Sequence, residues 1–113
     1  MSEQHLPLSD RALELVAHRF KLLSDPIRLR LLRQLMFGEK SVNELVLAIN
    51  GTQPNISKHL IMMADGGLLQ RRKAGITIFY SIAEPSLFKL CDLVCLSLQA
   101  QEAEMLELLK GEG

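Results

Sequence analysis

The residues best suited to chemistry with an outside partner begin in one short stretch, Thr52 to His59, and continue in a basic cluster further along. Gln53, Asn55 and Ser57 carry amide and hydroxyl groups that can hydrogen-bond base edges, and the Lys58 ammonium suits a phosphate. Arg71, Arg72 and Lys73 follow, with Thr77 nearby. The plainer alternative for the first stretch is a solvated helix face. For the second it is a set of charges that keeps an edge strand from pairing. His59 can touch a phosphate, or it can hydrogen-bond within the domain and position the helix; the second role is favoured. Cys91 and Cys95 are the other reactive pair. At a spacing of four they share one helix face, within reach of a single soft ion. Unpaired cysteines are also among the most buried residue types and often only pack. His5 and His18 are too scattered to form a metal site alone.

These groups need elements to present them. Residues 52–65 read as a helix. Thr52 can accept a first-turn amide as N-cap, and Pro54 sits in the first turn, where its missing N–H costs little. Gly66 and Gly67 stop the helix, because glycine accepts the left-handed conformation. Ile56, Leu60 and Met63 form the buried face, which turns the polar groups of the first turn outward. Upstream, residues 41–49 form a shorter helix. Ser41-Val42-Asn43-Glu44 fits a capping box, and Val42, Leu45, Val46 and Ile49 give a one-sided apolar face. Asn50-Gly51 turns the chain between the two helices, the helix-turn-helix pattern. After Gly67 the period becomes alternating. Residues 68–82 read as a hairpin, with strands Leu68–Lys73 and Ile76–Ile82 joined by Ala74-Gly75. Ile76, Ile78, Tyr80 and Ile82 lie on one face, and the three basic residues lie at the tip, making the hairpin a wing.

The remaining elements are predicted as support. Residues 1–8 are polar and loosely held. Ser9 caps a first helix over 9–23, with Leu13, Val16, Phe20 and Leu23 as its apolar face. Asp25-Pro26 opens a second helix over 26–36. Ile27, Leu29, Leu31, Leu32 and Leu35 make it apolar on most sides, so it is the central core helix; Arg30 and Arg33 are assigned as solvated or helix-paired charges. Residues 37–40 form a turn. A last helix spans 85–109. Between Leu87 and Leu98 only Lys89, Asp92 and Ser97 are polar, so this helix needs cover on both sides. One covering is the domain's own core and the other is a second subunit.

Bulk properties agree with one domain over 1–113, mainly α with a β-hairpin, dimerising through the last helix. The chain has 113 residues, 48% of them apolar, and a formal charge of zero. That excludes a generally basic nucleic-acid protein but not one basic edge. Four basic residues face one acidic residue between Gln53 and Gly75, and four acidic face one basic from Gln99 onward. No signal peptide or membrane span is recognisable, so a cytoplasmic location without membrane contact is expected. Two cysteines make no disulfide framework and are expected to be thiols.

The chain resembles the ArsR/SmtB family of bacterial winged-helix repressors from about Val16 to Leu98. Leu22-Leu23-Ser24-Asp25-Pro26-Ile27-Arg28-Leu29-Arg30-Leu31-Leu32 is similar to the family's second-helix signature. Thr52 to Leu60 is similar to its recognition helix, and Gly67-Leu68-Leu69 followed by Arg71 to Gly75 to its wing. The resemblance implies a winged helix-turn-helix homodimer that binds an inverted-repeat DNA operator and represses a nearby promoter until an effector releases it. Two metal patterns of the family are missing. Ser41 and Asn43 stand where the third-helix sensor places cysteines, and the last helix lacks the histidines of the zinc site. Some members sense trivalent arsenicals, soft metals or oxidants through cysteines in the last-helix region, the role implied for Cys91 and Cys95. A winged-helix regulator whose cysteines only pack is the alternative. A winged helix used only for protein contact is a further one, disfavoured by the polar and basic chemistry of the first turn and wing. No nucleophile motif or phosphate loop points to an enzyme.

Overall fold

The computed structural model describes residues 8–111; His5 and almost all of the segment read as loosely held lie outside them. Backbone contacts divide the chain into one unit up to Ala83 and another from Glu84. The first contains α1 (Asp10–Leu23), α2 (Pro26–Leu35), β1 (Lys40–Ser41), α3 (Val42–Ile49), α4 (Gln53–Asp65), β2 (Leu69–Ala74) and β3 (Thr77–Ile82). The second is α5 (Ser86–Gly111), about 39 Å long at 1.5 Å per residue. The architecture is a winged helix-turn-helix, mainly α with one small antiparallel sheet.

Local chemistry accounts for most boundaries. The Ser9 hydroxyl accepts the Ala12 amide at the start of α1. Asp25 accepts the Ile27 and Arg28 amides at the start of α2, ahead of Pro26. Desolvation pushes the Asp25 carboxyl up, but those two amides and the nearby Arg28 guanidinium bring it net below its ordinary range. The α3 capping box is complete: Ser41 Oγ accepts the Glu44 amide at 3.1 Å and Glu44 Oε1 accepts the Ser41 amide at 2.7 Å. The core of this unit is built from Leu31, Leu32 and Leu35 of α2, Leu45 and Ile49 of α3, Ile56, Leu60 and Met63 of α4, and Leu68 and Tyr80 around the sheet.

Several expectations need correction. Gly66 has φ −83°, so it is not left-handed; a Cβ there would overlap the Leu22 side chain, which makes space its requirement. Gly67 at φ +85° is the left-handed residue. The Gly67 amide donates to Ala64 and the Leu68 amide to Met63, the two bonds of a Schellman stop. The hairpin turn is Gly75-Ile76 rather than Ala74-Gly75, because Ala74 pairs with Thr77. Gly75 takes φ +64° at the first central position, as in a type II′ turn, and Ile76 leaves the strand face to become fully exposed. Lys40, read as turn, and Ser41, read as the cap of the third helix, form a third strand, so the order is β1-β3-β2, with Ser41 opposite Phe79. In α1, Leu23 is buried but Leu13, Val16 and Phe20 are not; Phe20 is 52% exposed. Leu29 is likewise exposed. Arg30 is not merely solvated, because its Nη2 donates to the Ile49 carbonyl at 3.2 Å, at the end of α3.

Arg28 ties the helices together. Its Nε donates to His59 Nδ1 at 3.0 Å, its Nη1 to the Leu22 carbonyl at 3.1 Å, and its Nη2 to Met62 Sδ at 3.4 Å. One guanidinium thus joins the end of α1, the start of α2 and the inner side of α4. A Lys ammonium cannot span these divergent acceptors. Arg28→Met, which keeps the apolar stem, should lower unfolding stability by about 1–3 kcal/mol, the cost of leaving such acceptors without a charged donor. Arg28→Lys should recover only part of that loss. Urea denaturation of the three proteins checks both statements, and equal midpoints would rule the clamp out.

Candidate DNA-binding surface

The helix-turn-helix is formed by α3 and α4. Asn50 ends α3 in the left-handed conformation at φ 55°, which asparagine tolerates better than most residues. Gly51 then lies so close to Ile56 that a Cβ would stand 2.7 Å from its Cδ1. The chain must turn tightly here, and α4 begins at once.

Thr52 has the extended backbone of an N-cap, and its carbonyl accepts the Ile56 amide at 3.0 Å. Its hydroxyl makes no capping bond, contrary to expectation. Of the two amides an N-cap side chain can use, the second helical residue, Pro54, offers none, and the third, that of Asn55, donates no bond to the Thr52 hydroxyl.

The inner side of α4 is Ile56, His59, Leu60 and Met63, all buried. His59 is 7% exposed and accepts from Arg28, so the side chain is used within the fold. With those positions facing inward, Gln53, Asn55 and Lys58 are exposed and Ser57 is half-buried. Gln53 Nε2 donates to Ser57 Oγ at 3.0 Å, one turn along the helix, which orients both groups before any partner arrives.

A cleft of about 240 Å³ lies between α3, α4 and the wing. Gln53, Ser57, Arg71 and Thr77 line it together with Asn43 and Ile76. Four residues singled out in the sequence therefore converge. Asn43 was missed as a lining residue; its polar side chain in the first turn of α3, next to the capping serine, was the available signal. Asn55, Lys58 and Lys73 are exposed outside the cleft.

The wing residues divide by register. Arg71 pairs with Tyr80 and Lys73 with Ile78, whereas Arg72 pairs with Phe79. Alternation in a strand puts Arg71 and Lys73 on one face and Arg72 on the other. None of the three is at the apex, which is Gly75-Ile76. Arg72 is held by Glu39, with Nε to Oε2 at 2.9 Å and Nη2 to Oε1 at 2.7 Å. Its guanidinium carbon also stands 4.6 Å from the centre of the Phe79 ring. The hydrogen bond from Arg72 holds the Glu39 carboxyl below its ordinary range.

In α5, Cys91 is half-buried and Cys95 exposed, both as free thiols. Among the described residues no group of three or more His, Cys, Asp and Glu side chains could hold a metal ion. No helix among them is long and apolar enough to cross a membrane.

Known proteins share both the sequence pattern and this geometry. A family model described as bacterial regulatory protein, arsR family, matches residues 25–71, from the cap of α2 into the wing. A probable mercury resistance operon repressor of Streptomyces lividans is 35% identical over 102 residues, covering 86% of this chain and 79% of that one. The solution structure of a homodimeric winged helix-turn-helix DNA-binding domain from Mycobacterium bovis superposes with a TM-score of 0.71 at 28% identity, covering 88% of this chain and 91% of that one. The crystal structure of the AntR antimony-specific transcriptional repressor gives a TM-score of 0.74 at 28% identity, covering 90% and 93%. With its helix-turn-helix, its basic wing and these relatives, the chain belongs to the arsR family of bacterial regulatory proteins.

Proposed function

We propose that this chain is a sequence-specific DNA-binding transcriptional repressor, acting in the cytoplasm as a homodimer on an inverted-repeat operator. The observation that carries the proposal is the division of α4 into two faces. Its inner face is spent on packing, while Gln53, Asn55 and Lys58 project outward beside a cleft shared with Arg71 and Thr77. Gln53, Asn55 and Ser57 read base edges. Lys58, Arg71 and Lys73 neutralise phosphates or enter the minor groove, and Thr52 has a hydroxyl not committed to capping. Asn55→Ala should cost about 1–3 kcal/mol on a duplex enriched by the wild-type protein from a random pool, and should relax one position. Lys58→Ala should weaken all sequences alike and reduce the salt slope by about 0.9. Anisotropy titrations at several salt concentrations check both; a wild-type protein that enriches no sequence would sink the proposal.

Dimerisation is supported by apolar surface on two elements. In α1, Leu13, Val16 and Phe20 are exposed; in α5, Leu93, Val94, Leu96 and Leu98 are, with Leu93 at 65%. Two-fold pairing would cover this surface and place two recognition helices in successive major grooves, about 34 Å apart. Val94→Glu should halve the sedimentation mass or cause aggregation, and a single-chain mass for the wild type would refute the dimer.

Cys91 and Cys95 are proposed to bind a soft metal or trivalent arsenical, or to be oxidised, with loss of DNA affinity. The support is their spacing in α5, the exposure of Cys95, and relatives named for mercury and antimony. A third ligand would come from the second subunit. Such ligation acts only through different affinities for two dimer arrangements. The pair Cys91→Ser and Cys95→Ser should bind DNA normally and ignore arsenite, cadmium, lead and peroxide. If the wild type is equally indifferent, the cysteines only pack, the reading favoured by the half-burial of Cys91.

A further inference from the structure

The three basic residues of the wing are not equivalent. The row Ser41–Phe79–Arg72 crosses the sheet from β1 through β3 to β2. Glu39, two residues before Ser41, lies at the same edge. Arg72 reaches back over the Phe79 ring and grips both carboxylate oxygens of Glu39. One side chain of the outermost strand is therefore fastened to the segment that leads into β1, with the central strand between them. From this geometry we infer that Arg72 is a positioning residue, a brace that holds the wing at a fixed angle through Glu39 and Phe79, and not a third phosphate contact. The inference rests on the DNA-binding role proposed above.

The physical case has three parts. A two-stranded hairpin is only marginally stable by itself, and β1 adds a partner of just two residues. A bidentate Arg–carboxylate pair fixes orientation as well as distance, and stacking of the guanidinium on a ring adds to it. Isolated surface pairs contribute little, but this geometry is the favourable case among them. Finally, Arg72 already has its counter-charge, so binding a phosphate would first require breaking the pair. Arg71 and Lys73, on the other face, have no ion pair among the described residues. A wing held in place spares the ordering entropy otherwise lost when Arg71 and Lys73 meet DNA.

Two variants separate a brace from a contact. Arg72→Lys keeps the charge but loses the fork and the stacking plane. The double variant Glu39→Gln, Arg72→Gln removes the pair with no change in net charge. Each is titrated against the enriched duplex at several potassium chloride concentrations, after circular dichroism confirms folding. A brace predicts affinity lower by about twofold to fivefold in both, as for an exposed ion pair, with the wild-type salt slope. Amide exchange in Leu69–Ala74 of the free protein should be faster in both. A wild-type affinity for Arg72→Lys, or a slope flatter by about 0.9 in the double variant, would overturn the inference and make Arg72 a phosphate contact. Lys73→Ala serves as the internal check and should flatten the slope by about that amount. If neither Lys73→Ala nor Arg71→Ala changes affinity or slope, the wing does not touch DNA, and the underlying reading fails along with the brace.

Discussion

The contact on which the presentation of α4 depends is a single guanidinium. Arg28 faces three acceptors that belong to two other helices: the Leu22 carbonyl, His59 Nδ1 and Met62 Sδ. Apolar packing of Ile56, Leu60 and Met63 pulls α4 onto the core, but the burial term itself carries no direction. Hydrogen bonds do, since they weaken steeply with misalignment. Arg28 therefore adds a directional constraint to the packing of Ile56, Leu60 and Met63, and the rotation they set together decides which residues of the first turn point outward.

The wing follows the same logic on the opposite side of the cleft. Its inner face joins the core through Tyr80 and Leu69, and its outer face is crossed by Glu39, Phe79 and Arg72. Two polar fastenings, one for the helix and one for the hairpin, bracket the cleft lined by Gln53, Ser57 and Arg71.

What could be read from the sequence follows from how far apart the interacting residues are. The capping box at Ser41 and Glu44, the Asp25-Pro26 start and the inner stripe of α4 are all built from steps of no more than four residues, and all are legible. Arg28 with His59 and Glu39 with Arg72 are separated by 31 and 33 residues; no local period announces either. β1 has only two residues, too few for an alternation to be visible. The turn was misplaced by one residue because a glycine can serve at either central position of a two-residue turn, and only the pairing of Ala74 with Thr77 decides. Thr52 has the residue type and backbone of an N-cap, but residue type does not fix where its hydroxyl points, and it makes no capping bond. In α1 the helical spacing of Leu13, Val16 and Phe20 was seen correctly. Periodicity identifies an apolar face; it does not say whether the same chain covers it.

The two faces of α4 also differ in what they allow over evolutionary time. Substitutions at exposed positions away from caps and networks usually shift stability by less than about 0.5 kcal/mol. Asn55 and Lys58 are such positions, while Ile56, His59, Leu60 and Met63 carry the packing and the Arg28 bond. A lineage can therefore exchange the outward residues one at a time, acquiring and losing target sequences, while every intermediate still folds. Inheritance of the fold and inheritance of the target are written on opposite sides of one helix.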